Sequence, residues 1–99
     1  MKRTGLIILF IFLSIFIYGN NFSQIDSLYK QLIIIDDSLK ADVLNELSWE
    51  LRNSEPEKSI DYGLEAIKFA EKYNNYEELV QAYSFIGVAY RILGNYSEA

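Results

Sequence analysis

The sequence predicts an all-α fold built from antiparallel helix pairs. Apolar residues recur at intervals of three and four through residues 24–93, which is the period of an amphipathic helix. Proline occurs once, and no stretch alternates apolar and polar residues for long enough to predict a strand with confidence. A spacing of small and large residues around position 48 also returns around position 87, which predicts that the helices form a repeat.

The first nineteen residues differ from the rest. Lys2 and Arg3 precede LIILFIFLSIFIY, a run in which Ser14 alone is polar. This is the layout of a secretory signal peptide, and the run is short for a membrane-spanning helix, which needs about 20 residues. We therefore expect residues 1–19 to be a signal peptide, with an uncleaved N-terminal anchor as the alternative. Export to the periplasm or the outer face of the inner membrane follows, with membrane contact only through this leader or a downstream helix.

Four helices are predicted after the leader. Their expected ranges are 24–35, 38–53, 55–73 and 76–93. Ser54 with Glu57 predicts a capping box before the third helix, and Asn75 predicts a similar cap before the fourth. Gly94 is expected to end the fourth helix as a C-cap glycine, so that a fifth helix would begin near Tyr96.

Each helix is expected to bury one face. On the second helix this face contains Leu44, Leu47, Ser48 and Leu51. On the third it contains Ile60, Gly63, Leu64, Ile67 and Ala70. On the fourth it contains Leu79, Val80, Tyr83, Ile86, Gly87 and Tyr90.

The order of residues on the fourth helix resembles a known repeat. It reads Tyr83-Ser84-Phe85-Ile86-Gly87-Val88-Ala89-Tyr90, followed by Gly94-Asn95-Tyr96 and Ala99. This resembles the W-x2-L-G-x2-Y…A pattern of tetratricopeptide repeats. A weaker copy, Leu44-x2-Leu47-Ser48-x2-Leu51, lies thirty-nine residues earlier. The period exceeds the family's usual 34 residues, so a HEAT-type repeat of about 40 residues is the alternative.

The resemblance implies an α-solenoid of antiparallel helix pairs. Its parts are a capping helix at 20–37, a first degenerate repeat at 38–75 and a second, truncated repeat at 76–99, so the chain is interpreted as the first part of a longer protein. The repeat-packing positions it implies are Leu44, Leu47, Ser48, Leu51, Ser59, Ala66, Tyr83, Ile86, Gly87, Tyr90 and Ala99. The implied protein-binding groove contains Asn45, Trp49, Arg52, Ser84, Val88 and Arg91.

Composition excludes several function classes for these residues. Without Lys2 and Arg3, residues 20–99 keep seven basic against 14 acidic residues, a net charge of −7, which disfavours nucleic acid and anionic lipid. The chain has no histidine, no cysteine and no glycine-rich phosphate loop, so we expect no catalytic residue, cofactor or metal. Asp36 and Asp37 could form a cation site, but a role at a helix N-terminus is the expected one.

Three groove side chains leave alternatives open. Trp49 lies beside the packing stripe, and we favour packing against Leu28 or Leu32 of the capping helix over a place on the concave surface. The arginines of the groove could meet a ligand's carboxylate, or they could pair with nearby acids such as Glu55.

Two functions fit the resemblance. The first is an exported module that binds a protein or peptide in the groove of a solenoid. The second is the periplasmic input domain of a membrane-bound histidine kinase or transcriptional regulator, because the start of the chain resembles exported bacterial repeat proteins of that kind.

Overall fold

The computed structural model describes residues 24–98, with side chains described as far as residue 95. Within that range the chain forms four helices and no strand. Helix α1 covers residues 24–34, α2 Asp37–Leu51, α3 Pro56–Lys72 and α4 Tyr76–Glu98. The all-α prediction is confirmed. No helix in residues 24–98 is both long and apolar enough to span a membrane. The leader and Ala99 lie outside the described residues.

The predicted N-cap of the fourth helix at Asn75 is observed, whereas the predicted N-cap of the third helix at Ser54 is not. The Asn75 side-chain oxygen accepts a hydrogen bond from the Glu78 backbone N–H at 3.3 Å, the capping contact expected for α4. Helix α3 instead takes Glu55 as its N-cap residue, with no capping hydrogen bond from its side chain. The Glu55 carbonyl accepts the first helical bond, from Ser59 N–H at 2.9 Å, so the helix starts one residue later than a Ser54 cap requires. The predicted capping box is therefore wrong.

The end of α3 uses a stop that the sequence interpretation missed. Asn74 has a φ of 54°, in the left-handed region. The Asn75 N–H then reaches back to the Ala70 carbonyl at 2.8 Å, and the Asn74 N–H reaches the Glu71 carbonyl at 3.3 Å. This is the Schellman pattern, in which asparagine can replace the usual glycine. It turns the chain sharply enough to bring α4 back along α3.

Gly94 does not end α4. The helix continues through it to Glu98, and no glycine of the described residues has a positive φ. A glycine terminates a helix only where it takes the left-handed conformation. The predicted stop at Gly94 and the predicted start of a fifth helix near Tyr96 are therefore both wrong.

Helix α2 is the centre of the core. Its predicted stripe of Leu44, Leu47, Ser48 and Leu51 is at most 2% exposed. Leu28 of α1 is also buried and packs in one cluster with Leu47, so α1 covers one side of α2. The predicted face of the second helix is thus confirmed.

Small residues let α2 and α3 approach closely. The Ser48 hydroxyl donates to the Ser59 carbonyl at 2.8 Å, and the Ser59 hydroxyl donates to the Ser48 carbonyl. Both side chains are fully buried, and their polar groups are mutually satisfied, which removes the desolvation penalty of burying them. The prediction that Ser48 and Ser59 mark a helix–helix contact is confirmed.

Most of the predicted inward face of α4 is exposed among the described residues. Val80, Tyr83 and Tyr90 are 58–66% exposed, and a side chain added at Gly87 would meet no described atom within 4 Å. The buried stripe of α4 consists of Ala82, Ile86 and Ala89. One residue is about 100° around a helix, so the predicted stripe is displaced by roughly that angle, and Ile86 is the member both stripes share. Leu64 of α3, also predicted to face inward, is 48% exposed.

The close approach between α3 and α4 occurs at Gly63. A Cβ atom added there would lie 2.5 Å from Ile86 Cγ1 and 3.0 Å from Ile86 Cδ1. Gly63 therefore has the packing role that the sequence interpretation gave to Gly87, because its missing side chain is the space that Ile86 fills.

Candidate protein-binding groove

Helices α2 and α4 flank an open cleft of about 320 Å³, here called the α2–α4 groove. Its lining residues are Gln24, Asp42, Asn45, Glu46, Trp49, Glu50, Gln81 and Phe85. Two of the predicted site residues, Asn45 and Trp49, are in this set. The groove therefore lies between the two helices on which the resemblance placed the predicted site residues.

Asn45 forms the floor of the groove rather than its surface. The residue is 1% exposed, and its side-chain Nδ2 donates to the Glu78 carbonyl at 2.9 Å and to Glu78 Oε2 at 2.7 Å. The prediction that this amide faces a ligand is wrong for Nδ2, because α4 already holds both of its hydrogens. The Asn45 Oδ1 is also buried and has no hydrogen-bond partner among residues 24–98.

Trp49 forms the aromatic wall of the groove. Its ring centroid is 4.9 Å from that of Phe85 on α4, with 33° between the planes, and 38% of the residue stays exposed. The contacts described for Trp49 are with Phe85 of α4 and with Arg52. The favoured prediction, packing against Leu28 or Leu32, stays a prediction.

Arg52 covers one end of this wall. Its guanidinium carbon lies 3.5 Å from the Trp49 ring centroid, and Nη1 donates to the Trp49 carbonyl at 2.7 Å. A cation over a tryptophan face is attracted by the ring quadrupole. The suggested acid Glu55 pairs instead with Lys58 at 3.7 Å. Arg52 is thus held by Trp49, which the sequence interpretation did not anticipate.

The three predicted site residues of α4 lie beside the groove. Ser84 is exposed and its hydroxyl donates to the Val80 carbonyl at 3.0 Å, while Arg91 is exposed and Val88 is half-buried. None of the three is among the lining residues of the groove.

The charge of the groove comes from carboxylates. The sequence interpretation did not assign these residues to the site. Asp42, Glu46 and Glu50 follow one another at intervals of four along α2, and Glu78 faces them from α4. Burial raises the pKa of Glu46, and the negative charges of Asp42, Glu50 and Glu78 raise it further. The spacing of four was visible in the sequence, but the approach of Glu78 was not.

The groove carboxylates are not arranged as a metal site. No group of three or more potential ligands within residues 24–98 is placed to hold a metal ion.

At the start of α2, Lys40 at 2.9 Å and Lys72 at 3.9 Å bind the Asp37 carboxylate, and the bond to Lys40 lowers the pKa of Asp37. Asp37 therefore joins the first turn of α2 to the last turn of α3.

Comparisons with known proteins add no name to this geometry. A scan against protein-family models found no match. Searches of curated proteins and of solved structures found none either. The resemblance to tetratricopeptide repeats therefore stays a prediction that depends on residues 41–99.

Proposed function

We propose that this chain is an exported tetratricopeptide-like module, and that it binds a segment of another protein in the α2–α4 groove. The observation that supports this most directly is the groove itself. It lies between α2 and α4, which the resemblance assigns as the first helices of adjacent pairs, and solenoids of such pairs bind partners on their concave surface. Its wall holds a partly exposed aromatic pair, Trp49 and Phe85, of the type that contributes most to binding at protein interfaces.

The packing of α2, α3 and α4 also supports a repeat architecture. Helix α2 contacts both α3 and α4, and α3 contacts α4. The α2–α3 contact depends on paired serines and the α3–α4 contact on Gly63, so both use small residues at the point of approach. An α-solenoid is a stack of such helix pairs.

The test is a peptide selection with a blocked groove as its control. A random peptide library would be selected on the immobilised full chain, and the selected peptides would be measured against Gln81→Trp and Glu71→Trp. Gln81 lines the groove, whereas Glu71 is exposed on α3 and does not. We expect Gln81→Trp to abolish binding and Glu71→Trp to preserve it. Peptides that bind both variants equally would place the binding surface elsewhere.

A further inference from the structure

The charged groups of the α2–α4 groove share one sign. Asp42, Glu46 and Glu50 line it, and Glu78 lies against its floor. None of the four has an ion pair within 4 Å among the described residues. Like charges four residues apart on a helix destabilise it by about 0.2–0.5 kcal/mol per pair. The groove therefore keeps a repulsive arrangement that a positive ligand would relieve.

The basic residues nearest in sequence are engaged elsewhere. Lys40 and Lys72 contact Asp37, and Lys58 contacts Glu55. Arg52 is held over the Trp49 ring at the end of α2. The described part of the chain thus supplies no internal counter-ion to the groove carboxylates.

A second observation, independent of charge, favours a ligand that carries hydrogen-bond donors. Asn45 lines the groove, and its buried Oδ1 lacks a partner among residues 24–98. The orientation of this amide is fixed, because both atoms next to Nδ2 are acceptors, the carbonyl and Oε2 of Glu78. A buried acceptor without a partner costs about 1–3 kcal/mol, and a hydrogen-bond donor that reached it would relieve that cost.

These observations favour an organic cation over a metal ion. The carboxylates do not converge as a set of metal ligands. The adjoining wall is aromatic, and 38% of Trp49 stays exposed beside Phe85. Lysine and arginine side chains combine positive charge with several N–H donors and an apolar stem, so they match carboxylates, an orphan amide oxygen and an aromatic wall together.

We propose that the α2–α4 groove is specific for a basic peptide segment, whose lysine or arginine side chains lie between the carboxylates of α2 and Glu78. This proposal rests on the proposed function and specifies the chemistry of the partner. It is opposite in charge to the ligand carboxylate that the sequence left open as one of two partners for the groove arginines.

The test uses the single tryptophan of the chain as its reporter. Trp49 is the only tryptophan and lies in the groove wall, so its fluorescence should change when the groove is occupied. The full chain would be titrated with short peptides of alternating lysine and alanine, and with matched peptides carrying glutamate or glutamine in place of lysine. Calorimetry at about 0.15 M salt, where long-range attraction is largely screened, would give the Kd values.

Two variants with the same change in net charge separate site binding from general attraction. The groove variant carries Asp42→Asn, Glu46→Gln and Glu50→Gln. The control variant carries Glu57→Gln, Asp61→Asn and Glu71→Gln, three exposed residues of α3 that do not line the groove. Circular dichroism would verify that both variants are folded.

We expect the wild-type chain to bind the lysine peptide at least about tenfold more tightly than the glutamate peptide, with a shift in Trp49 emission. The groove variant should lose about tenfold in affinity for the lysine peptide, since each partly exposed charge pair contributes modestly. The control variant should stay within about twofold of wild type. Equal losses in both variants, or no preference for lysine, would overturn the proposal.

The result can be separated from a failure of the proposed function. Selected peptides that are neutral or acidic, and that Gln81→Trp blocks, would refute the basic partner while leaving a protein-binding groove in place. The absence of any peptide whose binding Gln81→Trp blocks would refute both.

Discussion

Two glycines in helix interiors provide a direct test of where α3 and α4 touch. Gly63 and Gly87 both lie within helices, so substitution by alanine brings the same intrinsic gain of about 1 kcal/mol in helix propensity. The two positions differ in their surroundings. A Cβ at Gly63 would lie 2.5 Å from Ile86 Cγ1, whereas a Cβ at Gly87 would meet no described atom within 4 Å.

The size of the difference follows from that clash. Ile86 Cγ1 is close to the α4 backbone, so it cannot move away as the tip of a flexible side chain could. Overpacking of this kind typically costs about 1–3 kcal/mol. Gly87→Ala should therefore raise the free energy of unfolding by about 0.5–1 kcal/mol, and Gly63→Ala should leave the chain about 1–3 kcal/mol less stable than Gly87→Ala.

Urea titration followed by far-UV circular dichroism would measure both variants of the purified chain at one protein concentration. The difference between the variants isolates the packing term, because the propensity term is common to both. Equal shifts would show that α3 and α4 do not meet at Gly63. If Gly87→Ala were less stable than wild type, the result would support the helix contact that the sequence predicted at Gly87.

Three further predictions concern charge, the exposed face of α4 and the leader. Glu46→Gln should stabilise the chain by a few tenths of a kcal/mol near pH 7. The gain should shrink as pH falls towards 4.5, the ordinary pKa of Glu46, because the pKa of Glu46 is raised in the folded chain and the folded state takes up the proton first; urea titrations across that range that show a growing gain would contradict this. The exposed Tyr83 and Tyr90 predict that copies of the chain associate through this face of α4, so Tyr83→Lys with Tyr90→Lys should reduce self-association in sedimentation velocity without lowering stability; a wild-type chain that stays monomeric, or association unchanged in the variant, would contradict this. N-terminal sequencing of the exported protein should begin near Asn20, and recovery of the intact chain from the cytosol would refute the signal-peptide assignment.

Local patterns predicted the helices well and their faces unevenly. The bounds of α2 and α3 differ from expectation by only one or two residues. Asp36 is the N-cap residue of α2 and Pro56 is the first residue of α3, so the sequence marks both helix starts. The face of α2 was predictable since its apolar residues form one stripe. Helix α4 carries apolar residues on several sides, so its period alone cannot select the buried one. Gly94 failed as a stop for a related reason, since a glycine permits the left-handed conformation but does not impose it.

The chemistry of the groove depended on contacts that no local pattern contains. Asp42, Glu46 and Glu50 have the spacing of a solvated helix face, and nothing in α2 alone distinguishes that role from a binding surface. The difference comes from Glu78, thirty-three residues from Asn45 in sequence, which takes both hydrogens of the Asn45 amide. That contact leaves the amide oxygen buried without a donor and places a fourth carboxylate opposite the other three. The preference of the groove for a positive ligand is therefore a property of the α2–α4 packing, and it would be lost in any arrangement that separated these two helices.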